Sequence, residues 1–86
     1  MNEWFIYIIE TQNNKLYTGI TNDLEKRFDM HKSGKGAKFL KTNPPKKIVY
    51  TETVLSRSDA LKREYAIKQL TREKKLELIK NKKTIK

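Results

Sequence analysis

The run WFIYII, Trp4 to Ile9, constrains this chain more than any other stretch. Successive residues of a strand point to opposite faces, so an unbroken apolar run is a strand buried on both sides. It predicts a central strand, covered by helices on one face at least. With 86 residues in all, the chain forms a single domain that buries only about 60–65% of its unfolded surface. The Phe5–Ile9 run is too short to cross a bilayer, and the acidic Glu3 precedes it instead of a basic leader. There is no cysteine and only one histidine. Disulfides, cysteine-bound zinc and histidine-rich metal centres are excluded, and a cytoplasmic protein is expected.

The polar segment ETQNNK separates the first run from a second, Leu16–Ile20. Two strand-like runs around an Asn-rich turn predict an antiparallel hairpin. Paired strands lie roughly 5 Å apart, so Tyr7 and Tyr17 come together in space. Gly19, inside the second strand, marks a bulge or a close approach by a side chain or a phosphate.

Thr21, Asn22 and Asp23 supply capping side chains for a helix over Leu24–Ser33, with Gly34 as its stop. Leu24 and Phe28 share one face of that helix, and Arg27 and His31 form the adjacent row. The segment SGKGAKFLKTNPPKK follows, with a short helical turn at Phe39–Leu40 that Pro44 and Pro45 end. Counting Lys32 just before it, this stretch carries six lysines and no acidic residue. A third strand, Lys47–Val54, has polar alternates that suit a sheet edge. Ser56 or Ser58 caps a long helix over Asp59–Leu70, with Asp59 placed for a capping box. Its apolar face comprises Ala60, Leu61, Tyr65 and Ile67, and Glu64 falls in the middle. A carboxylate there costs several kcal/mol unless it is paired, hydrogen-bonded or bound to a cation. An ion pair with Arg27 or Lys68 is the plain structural explanation. Thr71 caps a last helix, TREKKLELIK, with Leu76 and Ile79 turned inward. The domain is expected to span 1–80, with 81–86 as a basic tail.

Twenty basic residues against ten acidic ones give a net charge of +10. Such an excess points to a polyanion, most simply nucleic acid; of the two kinds, DNA is the expected partner for the activity named below. Lys15, Lys32, Lys35, Lys38, Lys41, Lys46 and Lys47 are the expected phosphate contacts. The competing explanation is a solvated surface loop on a small basic protein.

Taken together, Ile6-Tyr7, Tyr17-Thr18-Gly19, Arg27, His31 and Glu64 resemble the GIY-YIG nuclease domain, over nearly the whole chain. The resemblance is to short stand-alone bacterial members. Phe5 and Thr18 depart from the two motifs, at positions whose side chains carry no chemistry, and Asn81 alone could match a late family asparagine. The resemblance implies an α+β fold, a small three-stranded antiparallel sheet flanked by helices, and divalent-metal-dependent phosphodiester hydrolysis. Glu64 would hold one Mg²⁺, which prefers oxygen ligands and keeps several waters. Arg27 would fork onto phosphate oxygens. One of the two tyrosines would act as general base, and His31 would relay a proton or orient a tyrosine. Singly, each residue has an ordinary structural explanation; their conjunction is what carries weight. A nucleic-acid-binding module of the same fold with little turnover is the alternative, and a protein-interaction domain the third. A monomer is expected.

Overall fold

The computed structural model describes residues 3–84. The elements are β1 (Trp4–Thr11), β2 (Leu16–Thr21), α1 (Leu24–Lys32), α2 (Lys38–Thr42), β3 (Pro45–Val54), α3 (Arg57–Lys68) and α4 (Arg72–Thr84). The three strands form one sheet in the order β2-β1-β3, and both pairings are antiparallel. The fold is the expected α+β arrangement, with β1 in the centre and β3 at an edge. Among the described residues, no helix is long and apolar enough to cross a membrane.

The alternation of β1 divides the molecule in two. Ile6 and Ile8 point to one face, where they join Tyr50, Ala60 and Ile67 beneath α3 and α4. Tyr7 and Ile9 point to the other, where they meet Leu40 with Leu24, Phe28 and Tyr17 around it. All four β1 side chains are at most 2% exposed. An unbroken apolar run is therefore what a two-sided core requires of its central strand.

Local chemistry sets the boundaries. In the hairpin turn, Asn14 takes φ 64°, and the Thr11 hydroxyl accepts from the Lys15 amide at 2.8 Å and donates to Asn13 Oδ1 at 2.7 Å. Asp23 caps α1 by accepting from the Lys26 amide at 3.1 Å. Past its C-terminus, Gly34 adopts φ 80°. The Gly34 amide bonds to the His31 carbonyl and the Lys35 amide to the Met30 carbonyl, at 3.2 and 2.9 Å. This paired closure turns the chain back over the end of the helix. β3 begins two residues earlier than expected, at Pro45, which an edge strand tolerates at its first position.

Ser56 caps α3 through the Asp59 amide at 3.0 Å, so the helix starts at Arg57 and ends at Lys68 rather than spanning 59–70. Its inward face also differs from expectation. Ala60 and Ile67 are fully buried, but Leu61 is 39% and Tyr65 68% exposed. The buried row runs 60, 63/64, 67, and each of the two misplaced residues sits one step of about 100° around the helix from it. Thr71 caps α4 through the Lys74 amide at 3.2 Å. Leu76, expected inside, is 44% exposed; Leu78 packs inward beside Ile79 instead. The expected tail, 81–86, is helical through Thr84, and residues 85–86 lie outside the described part.

One side-chain cluster fixes α3 against the sheet. Arg63 donates from Nε to Glu52 Oε1 at 2.8 Å and from Nη2 to Oε2 at 2.8 Å. The Tyr50 hydroxyl donates to the same carboxylate. Burial and this hydrogen bond push the Tyr50 phenol up to about 12. The Arg63 guanidinium is held above its ordinary pKa, first by its hydrogen bond to Glu52.

Candidate active site

The hairpin register places Tyr7 opposite Gly19 and Tyr17 opposite Ile9. The Tyr7 ring lies across the Gly19 backbone: a β-carbon at Gly19 would fall 2.6 Å from the Tyr7 hydroxyl oxygen and 3.1 Å from the Tyr17 ring. The glycine expected to mark a close approach therefore makes room for the first tyrosine. Tyr17 is a diagonal neighbour, its ring centroid 6.3 Å from that of Tyr7.

His31 reaches the pair from the last turn of α1. It is 1% exposed, and its Nε2 stands 2.9 Å from the Tyr7 hydroxyl. Its Nδ1 accepts from the Ala37 amide at 3.3 Å. In the neutral ring the hydrogen therefore sits on Nε2 and is donated to Tyr7, so the phenol oxygen is the acceptor. The backbone fold-back after Gly34 supplies that amide. Gly36 lies against the imidazole so closely that a β-carbon there would be 2.1 Å from Nδ1. Burial lowers the His31 pKa, and the nearby Arg27 charge lowers it further, so the ring is neutral at pH 7.

Arg27, one turn before His31, and Glu64 on α3 both act on the same phenol. Burial pushes Tyr7 up to about 12, with the neighbouring Tyr17 adding to it; Arg27 opposes this by hydrogen bonding and charge, and the Glu64 charge raises it again. Arg27 Nε is buried without a hydrogen-bond partner among the described residues. The Glu64 side chain is 19% exposed, and its Oε2 is 3.2 Å from Lys68 Nζ. Tyr17, Arg27 and His31 thus gather around Tyr7, and Glu64 reaches it by its charge. The ion pair with Lys68, one of the two partners weighed above, is present as well.

A single carboxylate with one oxygen turned to a half-exposed lysine suits a magnesium ion. Such an ion takes most of its ligands from water and phosphate, and an i,i+4 pair whose lysine is half exposed is weak enough to give way. Among the described residues there is no group of three or more acidic or histidine side chains that could hold a metal ion; Glu64 is the residue that would offer such an ion a carboxylate beside Tyr7.

The seven expected lysines are all exposed. Hydrogen bonds from the Gln12 amide to the Pro44 carbonyl at 2.8 Å, and from Asn13 to Asn43 at 2.7 Å, tie the turn that carries Lys15 to the connection before β3. Lys32 lies 3.7 Å from Asp29. Lys47 stands apart from the others: it lines a cleft between the sheet and α4 with Glu10, Leu16 and Arg72, away from Tyr7. Two contributors escaped sequence reading. Phe39, read above only as part of a helical turn, is 39% exposed and stacks on Tyr17 with centroids 6.0 Å apart. The Gly36–Ala37 backbone holds His31, and the second glycine of SGKG was its only sequence signal.

The chain belongs to the GIY-YIG catalytic domain family, whose model matches residues 3–77. It is 49% identical over 79 residues to the UPF0213 protein YhbQ of Escherichia coli K12, covering 92% of this chain and 79% of that one. A UPF0213 protein of Cronobacter sakazakii is 48% identical, over 92% of this chain and 83% of its own. Among solved structures, the solution NMR structure of the UPF0213 protein BH0048 from Bacillus halodurans is similar, with a TM-score of 0.61 and 38% identity. It covers 93% of this chain and 85% of that one.

Proposed function

We propose that this protein is an endonuclease that hydrolyses phosphodiester bonds of nucleic acid, DNA foremost, with one Mg²⁺ as cofactor. We take it to act as a monomer in the cytoplasm, in keeping with the lack of cysteine. The observation that carries this reading is the Tyr7 hydroxyl, which accepts from His31 Nε2 at 2.9 Å and lies within the field of both Arg27 and Glu64. Burial holds the Tyr7 phenol up at about 12; the donated hydrogen bond from His31 and the Arg27 charge are what favour its phenolate. Tyr7 releases its own proton to solvent and, as the phenolate, takes the proton of the attacking water. Arg27 offers its guanidinium fork to the non-bridging phosphate oxygens, where charge builds up in the transition state. His31 keeps Tyr7 in orientation by donating from Nε2. Glu64 holds the cation, which when bound neutralises phosphate charge and assists departure of the leaving oxygen. The exposed lysines around α2 carry the flanking strand by its phosphates.

A panel of single-stranded, duplex and branched DNA and RNA, incubated with and without Mg²⁺, tests the reading. Cation-dependent cleavage of at least one member is expected, and its loss on Tyr7→Phe and Glu64→Gln. The Glu64–Lys68 ion pair favours a second reading, a binding module of the same fold with little turnover. Salt-dependent binding without cleavage would select it.

A further inference from the structure

Arg27 also lines a surface cavity of about 310 Å³, together with Trp4, Ile20, Thr21, Asn22 and Arg57. No carboxylate stands in that lining. Two guanidinium groups do, and neither is ion-paired among the described residues. Arg27 brings a buried Nε with no hydrogen-bond partner there. Arg57 is held at the other wall, its guanidinium carbon 5.9 Å from the centroid of the Trp4 ring. A buried donor without an acceptor costs roughly 1–3 kcal/mol, and two like charges facing one cavity repel. An anion between them removes that repulsion and brings an acceptor to the Arg27 guanidinium. The fork of arginine matches the geometry of a phosphate group. The cavity is larger than a bare phosphate needs, and Trp4 and Ile20 give it an apolar wall suited to the sugar or base attached.

We propose that this cavity is a nucleotide subsite, in which Arg57 and Arg27 clamp a phosphate next to the bond that is cut. The proposal rests on the nuclease reading for its place in catalysis, but not for the anion site itself. Arg57 and Glu64 are seven residues apart on α3, about 10 Å along the helix axis, and so on the same side of it. Arg27 belongs to both sites and joins them. The substrate strand then runs from the lysines around α2, across Tyr7, to Arg57. The charged surface expected from sequence covers only the first half of that path.

The chain has a single tryptophan, and it stands in the cavity wall, so Trp4 fluorescence and its indole N–H resonance report occupancy directly. Inorganic phosphate is titrated first, then short DNA strands bearing a 5′-phosphate, a 3′-phosphate or neither. Parent protein, Arg57→Gln and Arg57→Lys are compared. Saturable Trp4 shifts with phosphate are expected in the parent. Arg57→Gln should weaken the apparent affinity about tenfold and lower the salt slope of strand binding by about one. Arg57→Lys, which keeps the charge and loses the fork, should fall between. A response to all strands alike assigns the clamp to an internal diester, and a response that needs a terminal phosphate assigns it to a strand end. A Trp4 signal unmoved by phosphate and by every strand, or an Arg57→Gln protein that matches the parent, overturns the proposal. Cleavage without any Trp4 response keeps the nuclease reading and removes the subsite. A phosphate response that depends on Arg57, without cleavage, keeps the anion site and removes its catalytic place.

Discussion

His31 donates from Nε2 to the Tyr7 hydroxyl oxygen at 2.9 Å, because the Ala37 amide occupies the other ring nitrogen. The direction of this bond decides what the tyrosine can become. Tyr7→Phe deletes the acceptor and strands the Nε2–H in a buried site, at a cost of about 1–3 kcal/mol. Cleavage should fall by a factor of at least ~10². Since burial pushes the parent phenol up to about 12, cleavage by the parent should keep rising with pH through neutrality. Any residual rate of the variant should lack that rise. A pH–rate profile of both proteins checks this.

The same histidine gives stability a pH dependence of defined sign. Burial, then the Arg27 charge, lowers its pKa in the folded state. The fold therefore favours the neutral ring. Its contribution is complete above the unfolded value of about 6.5 and is lost as pH falls through the folded value. In melts from about pH 8 to about pH 5, the advantage of the parent over His31→Gln should hold at the upper end and shrink on acidification. An advantage that grew toward acid would mean that the ring is charged in the fold.

Glu64→Gln separates metal binding from structure. The lysine it faces is half exposed, so the pair adds within about 1 kcal/mol, and the melting temperature should change little. Metal-dependent cleavage should drop by orders of magnitude while strand binding persists. A large loss of stability instead, in a protein whose parent shows no cation-dependent activity, would favour the binding-module reading.

Glu52→Gln tests the brace that positions α3. It weakens a bidentate interaction with Arg63 and the Tyr50 contact. A loss of about 1.5–3 kcal/mol is expected, in the range of hydrogen bonds to charged groups. The Tyr50 phenol, held near 12 by burial and then by Glu52, should titrate lower. Chemical denaturation and ultraviolet titration of the tyrosines measure the two effects. Cleavage should fall as well, since Glu64 rides on the helix that Arg63 anchors.

Much of this was legible because it is local. The apolar run, the Asn-rich turn and the Ser56 and Asp23 caps each settle their own stretch of chain, and Arg27 and His31 follow from helical spacing. Helix α3 was harder. With so few apolar residues, its phase is weakly determined, and Leu61 and Tyr65 were assigned inward although Ala60, Glu64 and Ile67 carry the buried row. The Glu52–Arg63 brace joins residues from two elements, and no spacing rule announces it. The side on which Lys47 stands was hidden for a different reason. The register of β1 with β3 shifts between Ile8 and Ile9, so that Ile9 meets Ile48 and Glu10 meets Lys47. An unshifted ladder would put residue 47 opposite Thr11, on the tyrosine face. One extra residue in a strand exchanges its faces, and sequence periodicity cannot see it.

Gly19 has a consequence for how the molecule assembles itself. The Tyr7 ring needs the space that a β-carbon at the opposing position would fill. If β2 slipped along β1 by a residue either way, Thr18 or Ile20 would stand where Gly19 stands, and the ring would collide with it. Only the correct pairing lets the hairpin close flat with its aromatic side chain in place. The glycine therefore proofreads strand alignment, and a hairpin that has zipped correctly has, in the same event, aimed its tyrosine at His31.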